Sequence, residues 1–374
     1  MRILTVFGTR PEAIKLAPLI RLLDTTPGVD HAVCVTGQHR EMLDQVLDLF
    51  GIKPQFDLNI MKAAQGLTDI TTAVLSGLDS VLRDFQPTRI LVQGDTTSAF
   101  AASFAAFLQK VSVGHVEAGL RTGNIFAPWP EEMNRRLTSQ IADLHFCPTS
   151  ESRDNLLREG IDPRRIEITG NTVIDALLYA RDRITADNQL RTRLDKQFDF
   201  LDRAKRLILV TGHRRESFDG GLDNFCHALR TIAERSEVEI IYPVHLNPNV
   251  QRPAKAILSG LPNVHLAAPV DYLPFVYLMT RCDLIITDSG GVQEEAPSLG
   301  KPVLVTRETT ERPEAVAAGT VKLVGTDKDV ICTWTRTLLD DEAAYRAMSF
   351  AHNPYGDGKA SRRIVKRILA GVHS

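Results

Sequence analysis

With 374 residues, 43% of them hydrophobic and 24% charged, the chain has the composition of a soluble globular protein. At roughly 150 residues per domain it is long enough for two. A formal net charge of only −2 gives no overall electrostatic basis for binding nucleic acid or an anionic membrane surface.

The five cysteines, Cys34, Cys147, Cys226, Cys282 and Cys332, include no CxxC pair and are odd in number. They signal neither a disulfide framework nor a zinc ribbon, and buried thiols in a reducing compartment are expected. The apolar run at 3–7 is too short for a signal-peptide core, and no run approaches the ~18 residues of a membrane span. Cytoplasmic residence is the default expectation.

In chain order, short apolar runs at 3–7, 31–37, 89–94, 111–117, 143–148 and 166–170 predict strands. The segments between them, such as 11–24 and 67–85, carry apolar residues at three- and four-residue spacing and predict helices. Strands alternating with helices read as βαβ units on a parallel sheet. The pattern pauses over 171–205, which is charged and helical, and restarts with runs at 207–212, 238–245, 263–269, 283–290, 301–306 and 320–325. The segment GKASRRIVKRILAGV predicts a closing helix. Two α/β domains joined by a helical connector follow.

Ligands of open parallel sheets sit outside the carboxyl ends of the strands, where helix N-termini offer N–H groups to anions. The informative residues fall there. FGTRPEAIK (7–15) runs from a strand through Gly8 and Arg10 to a proline-led helix bearing Lys15, a combination that suits a phosphate. It is neither a P-loop nor GxGxxG. QGDTTSAF places Asp95 between a strand and a helix, where Asp95 or Thr96 could equally be an N-cap.

HVEAGLRTGNIFAPWPEEMNRR puts Glu117 at a strand end. Pro128-Trp129-Pro130 then makes a stiff turn, and Glu131, Glu132 and Arg135 open a helix. Acidic residues there also suit the helix dipole, and Glu132 and Arg136 read as capping or solvated charges. VTGHRRESFDGG sets His213 and two arginines after a strand, with a glycine pair opening the next helix. TDSGGVQEEAPSLGKPVL leads Ser289-Gly290-Gly291 into a helix with Glu294 and Glu295 one turn in, and Arg312 follows. An SGG followed by a glutamate in the second of two α/β domains points to a nucleotide-sugar site. His115, His245 and Asp288 lack metal-ligand spacing, so no metal is expected.

Together VFGTRPEAIKLAPLI, TGQHREMLDQVL, GDTTSAFAASFAAF, VGHVEAGLRTG, PWPEEMNRR, VTGHRRES, IITDSGGVQEEAPSLGKPVLV and NPYGDGKAS resemble the non-hydrolysing UDP-N-acetylglucosamine 2-epimerase family. The likeness runs in order along essentially the whole chain and is nearest to the enterobacterial branch serving common-antigen synthesis.

The resemblance implies a GT-B-like α/β fold of two Rossmann-like domains, with parallel sheets facing a central cleft. Their expected bounds are 1–170 and 171–355, with a C-terminal helix at 356–374 returning to the first. It implies interconversion of UDP-GlcNAc and UDP-ManNAc with no cofactor, through elimination of UDP to 2-acetamidoglucal. A GT-B glycosyltransferase using a UDP-sugar donor is the alternative.

By the same resemblance, Lys15, Asp95, Glu117, Glu131, Arg135 and His213 match positions important for catalysis. Arg10, His213 and Ser289-Gly290-Gly291 would hold the diphosphate, and Glu295 the ribose with Arg312 nearby. Phe275 and the backbone of Val270 would frame uracil. Gln38, Arg214 and His245 fall in motifs tied to a second, activating UDP-GlcNAc, and a homodimer is implied.

Overall fold

The computed structural model describes residues 1–37, 40–62, 65–212 and 221–371. The first part of the chain runs β1 (Arg2–Phe7), α1 (Arg10–Asp24), β2 (Asp30–Val35), α2 (Arg40–Phe50), β3 (Phe56–Asp57), α3 (Leu67–Phe85), β4 (Arg89–Gln93), α4 (Thr97–Leu108), β5 (Ser112–Val116), α5 (Glu131–Ile141), β6 (Leu144–Cys147), α6 (Ser150–Arg158) and β7 (Ile166–Ile168).

Two helices, α7 (Thr172–Ala186) and α8 (Asn188–Gln197), fill the strandless stretch. The second part runs β8 (Arg206–Thr211), α9 (Gly221–Ile232), β9 (Val238–Pro243), α10 (Pro248–Leu258), β10 (Val264–Ala267), α11 (Tyr272–Arg281), β11 (Leu284–Thr287), α12 (Gly290–Glu295), β12 (Val303–Val305), α13 (Pro313–Ala317), β13 (Val321–Leu323), α14 (Lys328–Asp340) and α15 (Glu342–Ser349). Helix α16 (Ala360–Leu369) follows.

These elements form two compact units, Met1–Ala176 with Tyr355–Ser374, and Leu177–Pro354. The first holds a sheet in the order β3-β2-β1-β4-β5-β6-β7, the second a sheet in the order β10-β9-β8-β11-β12-β13. All pairings are parallel. In both, strand order reverses beside the first strand of the unit, the doubly wound arrangement in which ligands bind at the switch point. The short strand β3 has no counterpart among the predicted strands. Two residues are too few to show a period.

Strands buried on both faces read as continuous apolar runs because helices cover each side. In the first unit Leu4, Val6, Ile90 and Val92 pack with Val74, Leu78 and Leu82 of α3 and with Ala101, Ala102 and Ala105 of α4. Alanines on α4 let that helix lie close to the sheet. Each large aliphatic side chain buried here contributes about 1.5–3 kcal/mol. In the second unit Ile208, Val210, Ile240, Leu284 and Ile286 pack with Phe225 and Leu229 of α9 and Ile331 of α14.

Helix α16 belongs to the first unit and lies against α1. Its first turn is capped from α7: Asp175 accepts the N–H groups of Ala360 at 3.1 Å and Ser361 at 2.9 Å. Beside it the Asn171 N–H donates to the Tyr355 carbonyl at 2.7 Å, and Arg363 donates to the Thr169 carbonyl at 3.0 Å. Gly170, at φ +84°, lies so close to Gly356 that a side chain there would press on its backbone. Asp175→Ala is expected to cost about 1–2 kcal/mol, as for other lost N-caps. Hydrogen exchange should quicken in α16 first; unchanged exchange there would remove this role from Asp175.

Candidate active site

Three adjacent strands of the first sheet, β1, β4 and β5, deliver the candidate residues at their carboxyl ends. After β1 the chain passes Gly8 and Thr9 into α1, which opens with the half-buried Arg10 and carries Lys15 one turn further on. A methyl group on Gly8 would overlap Thr36 Oγ1 and Ser98 Oγ. The residue is glycine because the turn presses on α4. After β4 come Gly94 and Asp95. Thr96, not Asp95, is the N-cap of α4, accepting the Ala99 N–H at 3.0 Å. The Asp95 carboxylate is thereby left for other work.

After β5, Glu117 adopts φ +62°. This left-handed conformation costs a non-glycine residue about 1–2 kcal/mol, and such strain concentrates at functional sites. Its carboxylate is 7% exposed as a residue and receives Lys15 Nζ on both oxygens, at 2.7 and 2.6 Å. Gln93 Nε2 donates to Oε2, and Asn171 Nδ2 donates to Oε1 at 3.3 Å. Every group around Glu117 in this set is a donor, so both of its carboxylate oxygens are held as acceptors.

Asp95 is gripped from α5. Arg135 reaches its Oδ2 through Nε at 2.9 Å and Nη2 at 2.6 Å, and Asn134 Nδ2 donates to its backbone carbonyl at 2.9 Å. The acidic start of α5 has two fates. Glu132 is fully buried; it accepts from the Thr122 N–H at 3.1 Å and from Arg135 at 3.2 Å and Arg136 at 3.4 Å. It is therefore the clamp that closes the 122–131 loop onto α5, not a capping or solvated charge. Glu131 is half-buried, and its Oε2 is buried with no hydrogen-bond partner among the described residues. Buried carboxylate oxygens are normally paired.

Behind these groups lies a neutral histidine pair. His115 and His145 face each other in register on β5 and β6, both fully buried. His115 Nε2 donates to the Gly94 carbonyl at 2.7 Å, steadying the turn that carries Asp95. Burial lowers the His115 pKa to about 4; burial, then the neighbouring His115, lowers that of His145 to about 3.

Both folded values lie below the unfolded value near 6.5. The stability these groups contribute is present above pH 6.5 and is lost as pH falls towards 4 and 3. Between pH 7 and pH 5 each histidine should withdraw about 2 kcal/mol. Melts of His145→Phe at the two pH values should show a smaller acid loss than the parent; an equal loss would rule the pair out as its source.

The second unit repeats the layout on β8, β11 and β12. After β11, Ser289 is the N-cap of α12, and its side chain makes no capping bond. The Ser289 N–H donates to Thr287 Oγ1 at 2.9 Å. Arg312 spreads its guanidinium over Gly290, and its Nε donates to Glu294 Oε1 at 2.7 Å. Glu295, 7% exposed, accepts the Tyr272 hydroxyl at 2.9 Å. Tyr272 opens α11, whose first turn also carries the half-buried Phe275; Val270 lies in the loop just before.

The structure thus gathers Lys15 with Glu117, and Asp95 with Arg135, at neighbouring strand ends; Glu131 opens the helix that holds Asp95. In the second unit it gathers Ser289, Gly290, Gly291 and Arg312, with Glu295 at the far end of α12. His245 is exposed after β9, and its Nδ1 accepts the Asn247 N–H at 3.1 Å. His213, Gln38 and Arg214 lie outside the described residues.

Sequence reasoning passed over Gln93, Asn134, Asn171, Tyr272 and the burial of Glu132. Only the placement of Gln93 at the end of an apolar run could have flagged one of them. Among the described residues no three His, Cys, Asp or Glu side chains are grouped to hold a metal, and no helix is long and apolar enough to cross a membrane. A cavity of ≈ 700 Å³ in the second unit, lined by Arg191, Arg203, Tyr277 and Arg281 among others, touches none of the candidate residues.

Two Rossmann-like units with chemistry at the ends of matched strands define a GT-B-like α/β protein. A family profile described as UDP-N-acetylglucosamine 2-epimerase matches residues 21–369. The chain is 59% identical over 369 residues to the UDP-N-acetylglucosamine 2-epimerase of Escherichia coli K12, covering 98% of each. It superposes with TM-score 0.92 and 52% identity on the crystal structure of UDP-GlcNAc 2-epimerase from Neisseria meningitidis bound to UDP-GlcNAc, covering 99% of this chain and 100% of that one. For the S. aureus MnaA–UDP co-structure the TM-score is 0.86 and the identity 44%, covering 99% and 96%. The chain belongs to the UDP-N-acetylglucosamine 2-epimerase family.

Proposed function

We propose that this chain interconverts UDP-GlcNAc and UDP-ManNAc by inverting C2 of the sugar. The proton on C2 is not adjacent to a carbonyl, so direct abstraction is slow. Breaking the C1–O bond first solves this. The bonding pair leaves with the diphosphate oxygen of UDP, charge builds at C1, and the C2 proton passes to a carboxylate as the C1–C2 double bond of 2-acetamidoglucal forms. Return of UDP oxygen to C1, with a proton delivered to the opposite face of C2, gives the epimer. The leaving diphosphate needs cations and N–H dipoles; the two faces of C2 need acid/base groups.

The observation that carries this reading is the cluster at the ends of β1, β4 and β5. Glu117 is held by Lys15, Asp95 is held by Arg135, and Glu131 keeps a buried oxygen with no partner among the described residues. In this reading Lys15, Asp95, Glu117, Glu131, Arg135 and His213 serve the chemistry. Arg10, His213 and Ser289-Gly290-Gly291 hold the diphosphate, Glu295 and Arg312 serve the ribose end, and Val270 and Phe275 frame the uracil.

The product supplies ManNAc units for a bacterial surface polysaccharide of the enterobacterial common-antigen kind. The setting is the cytoplasm, in keeping with five free thiols. A second UDP-GlcNAc activates through Gln38, Arg214 and His245. The working form is a homodimer, for which the stacked Phe100, Phe104 and Phe107 along α4, with Phe107 58% exposed, offer an apolar face; light scattering should give twice the chain mass.

The deciding experiment incubates the enzyme with UDP-GlcNAc alone in D₂O. Deuterium at C2 of both UDP-sugars supports epimerisation. No exchange, with sugar transferred only once an acceptor is added, would instead indicate a glycosyltransferase. Net release of UDP and free ManNAc would indicate a hydrolysing enzyme.

A further inference from the structure

We infer that Glu12 is a positioning residue for this reaction, fixing the β1–α1 turn that carries Arg10 against the β4–α4 turn that carries Asp95. The inference rests on the epimerase reading above and adds a residue to it. Glu12 lies on the first turn of α1 and is 1% exposed. Its Oε2 accepts the N–H groups of Gly8 at 3.0 Å and Thr9 at 2.8 Å. Its Oε1 accepts the hydroxyl of Thr96 at 2.7 Å. One carboxylate therefore ties two strand-end turns whose residues lie 84 positions apart.

A purely local role does not account for this geometry. The third residue of a helix often reaches back to the N-cap N–H, and a solvated glutamate does that equally well. Glu12 is instead buried, at a desolvation cost that raises its pKa. Among the described residues no lysine or arginine pairs with it, and hydrogen bonds from Gly8, Thr9 and Thr96 are what offset the burial. The bond that the helix does not need is the one to Thr96. Thr96 is at once the N-cap of α4 and the neighbour of Asp95, so its side chain transmits the position of α1 to that carboxylate. On its other side Asp95 is fixed by Arg135 and Asn134. Removing Glu12 frees one side only.

The test is a double-mutant cycle on the whole enzyme, with kcat, KM and melting temperature for wild type, Glu12→Gln, Thr96→Val and the double variant. Glutamine keeps one oxygen for the Gly8 and Thr9 N–H groups but turns an amide towards Thr96. A kcat about tenfold lower at nearly unchanged KM is expected, with Glu12→Ala losing on the order of 10²-fold, the scale of a misplaced reacting group. If both residues act through one contact, the double variant loses no more than the worse single variant.

Additive losses overturn the inference. So does a folded Glu12→Ala enzyme with kcat within about twofold of wild type. If Glu12→Ala fails to fold, the glutamine and valine cycle decides alone. Wild type without C2 exchange overturns the epimerase reading and this one with it, whereas exchange in wild type with additive variants overturns only this one.

Discussion

Glu117→Gln is expected to bind UDP within about threefold of the parent and to lose roughly 10²–10⁴-fold in C2 exchange, the range that positioned acid/base groups supply. The geometry gives two reasons. A glutamine cannot carry the proton of C2. It also replaces one acceptor oxygen by a donor in a ring made of Lys15, Gln93 and Asn171, all of which donate. One of these donors is left facing an N–H group, and the half-buried Lys15 loses the carboxylate it pairs with. The variant should therefore also be less stable, by about 1–3 kcal/mol for the unmet hydrogen bonding. Isothermal titration with UDP and deuterium incorporation at C2 separate the two effects. Full exchange in a folded Glu117→Gln enzyme would remove Glu117 from the chemistry.

Arg135→Ala should be the most damaging change at an arginine. This one guanidinium serves Asp95 and the fully buried Glu132 together. Removing one partner of a buried pair costs about 3–5 kcal/mol. The low end applies here, because Glu132 keeps Arg136 and the N–H of Thr122. With Asp95 released on that side, kcat should fall on the order of 10²-fold. Arg135→Lys should rescue little, since a single ammonium cannot hold both carboxylates in the arginine's fork. Recovery of kcat to within about threefold by lysine would mean that charge alone, not the bridging geometry, is required.

The fold was legible because both sheets are buried on both faces, so nearly every strand left an apolar run in the sequence. Strand β3 left none. The site was legible where a residue type and its place at a strand end coincided, as for Asp95, Glu117 and Ser289-Gly290-Gly291. It was not legible where the deciding fact is a contact across many residues. Glu131 and Glu132 both read as acids at a helix start, favoured there by the dipole alone, and Glu12 drew no reading of its own. Their separate roles depend on what the loop at 122–130 and the turn at Thr96 place beside them. Lys15 and Glu117 are 102 positions apart, and no local pattern links them.

Helix α16 completes the first unit, yet residues 177–354, the whole of the second, are made in between. Synthesis order and folding order therefore differ. At about 5–20 residues per second the partly built first unit waits roughly 10–40 s for its last helix. During that interval α1 lacks a covering partner, and Asp175 has no N–H groups to cap. A chain that stopped before residue 360 would lack this helix in the unit that was made first, while the unit made last would keep all of its own elements.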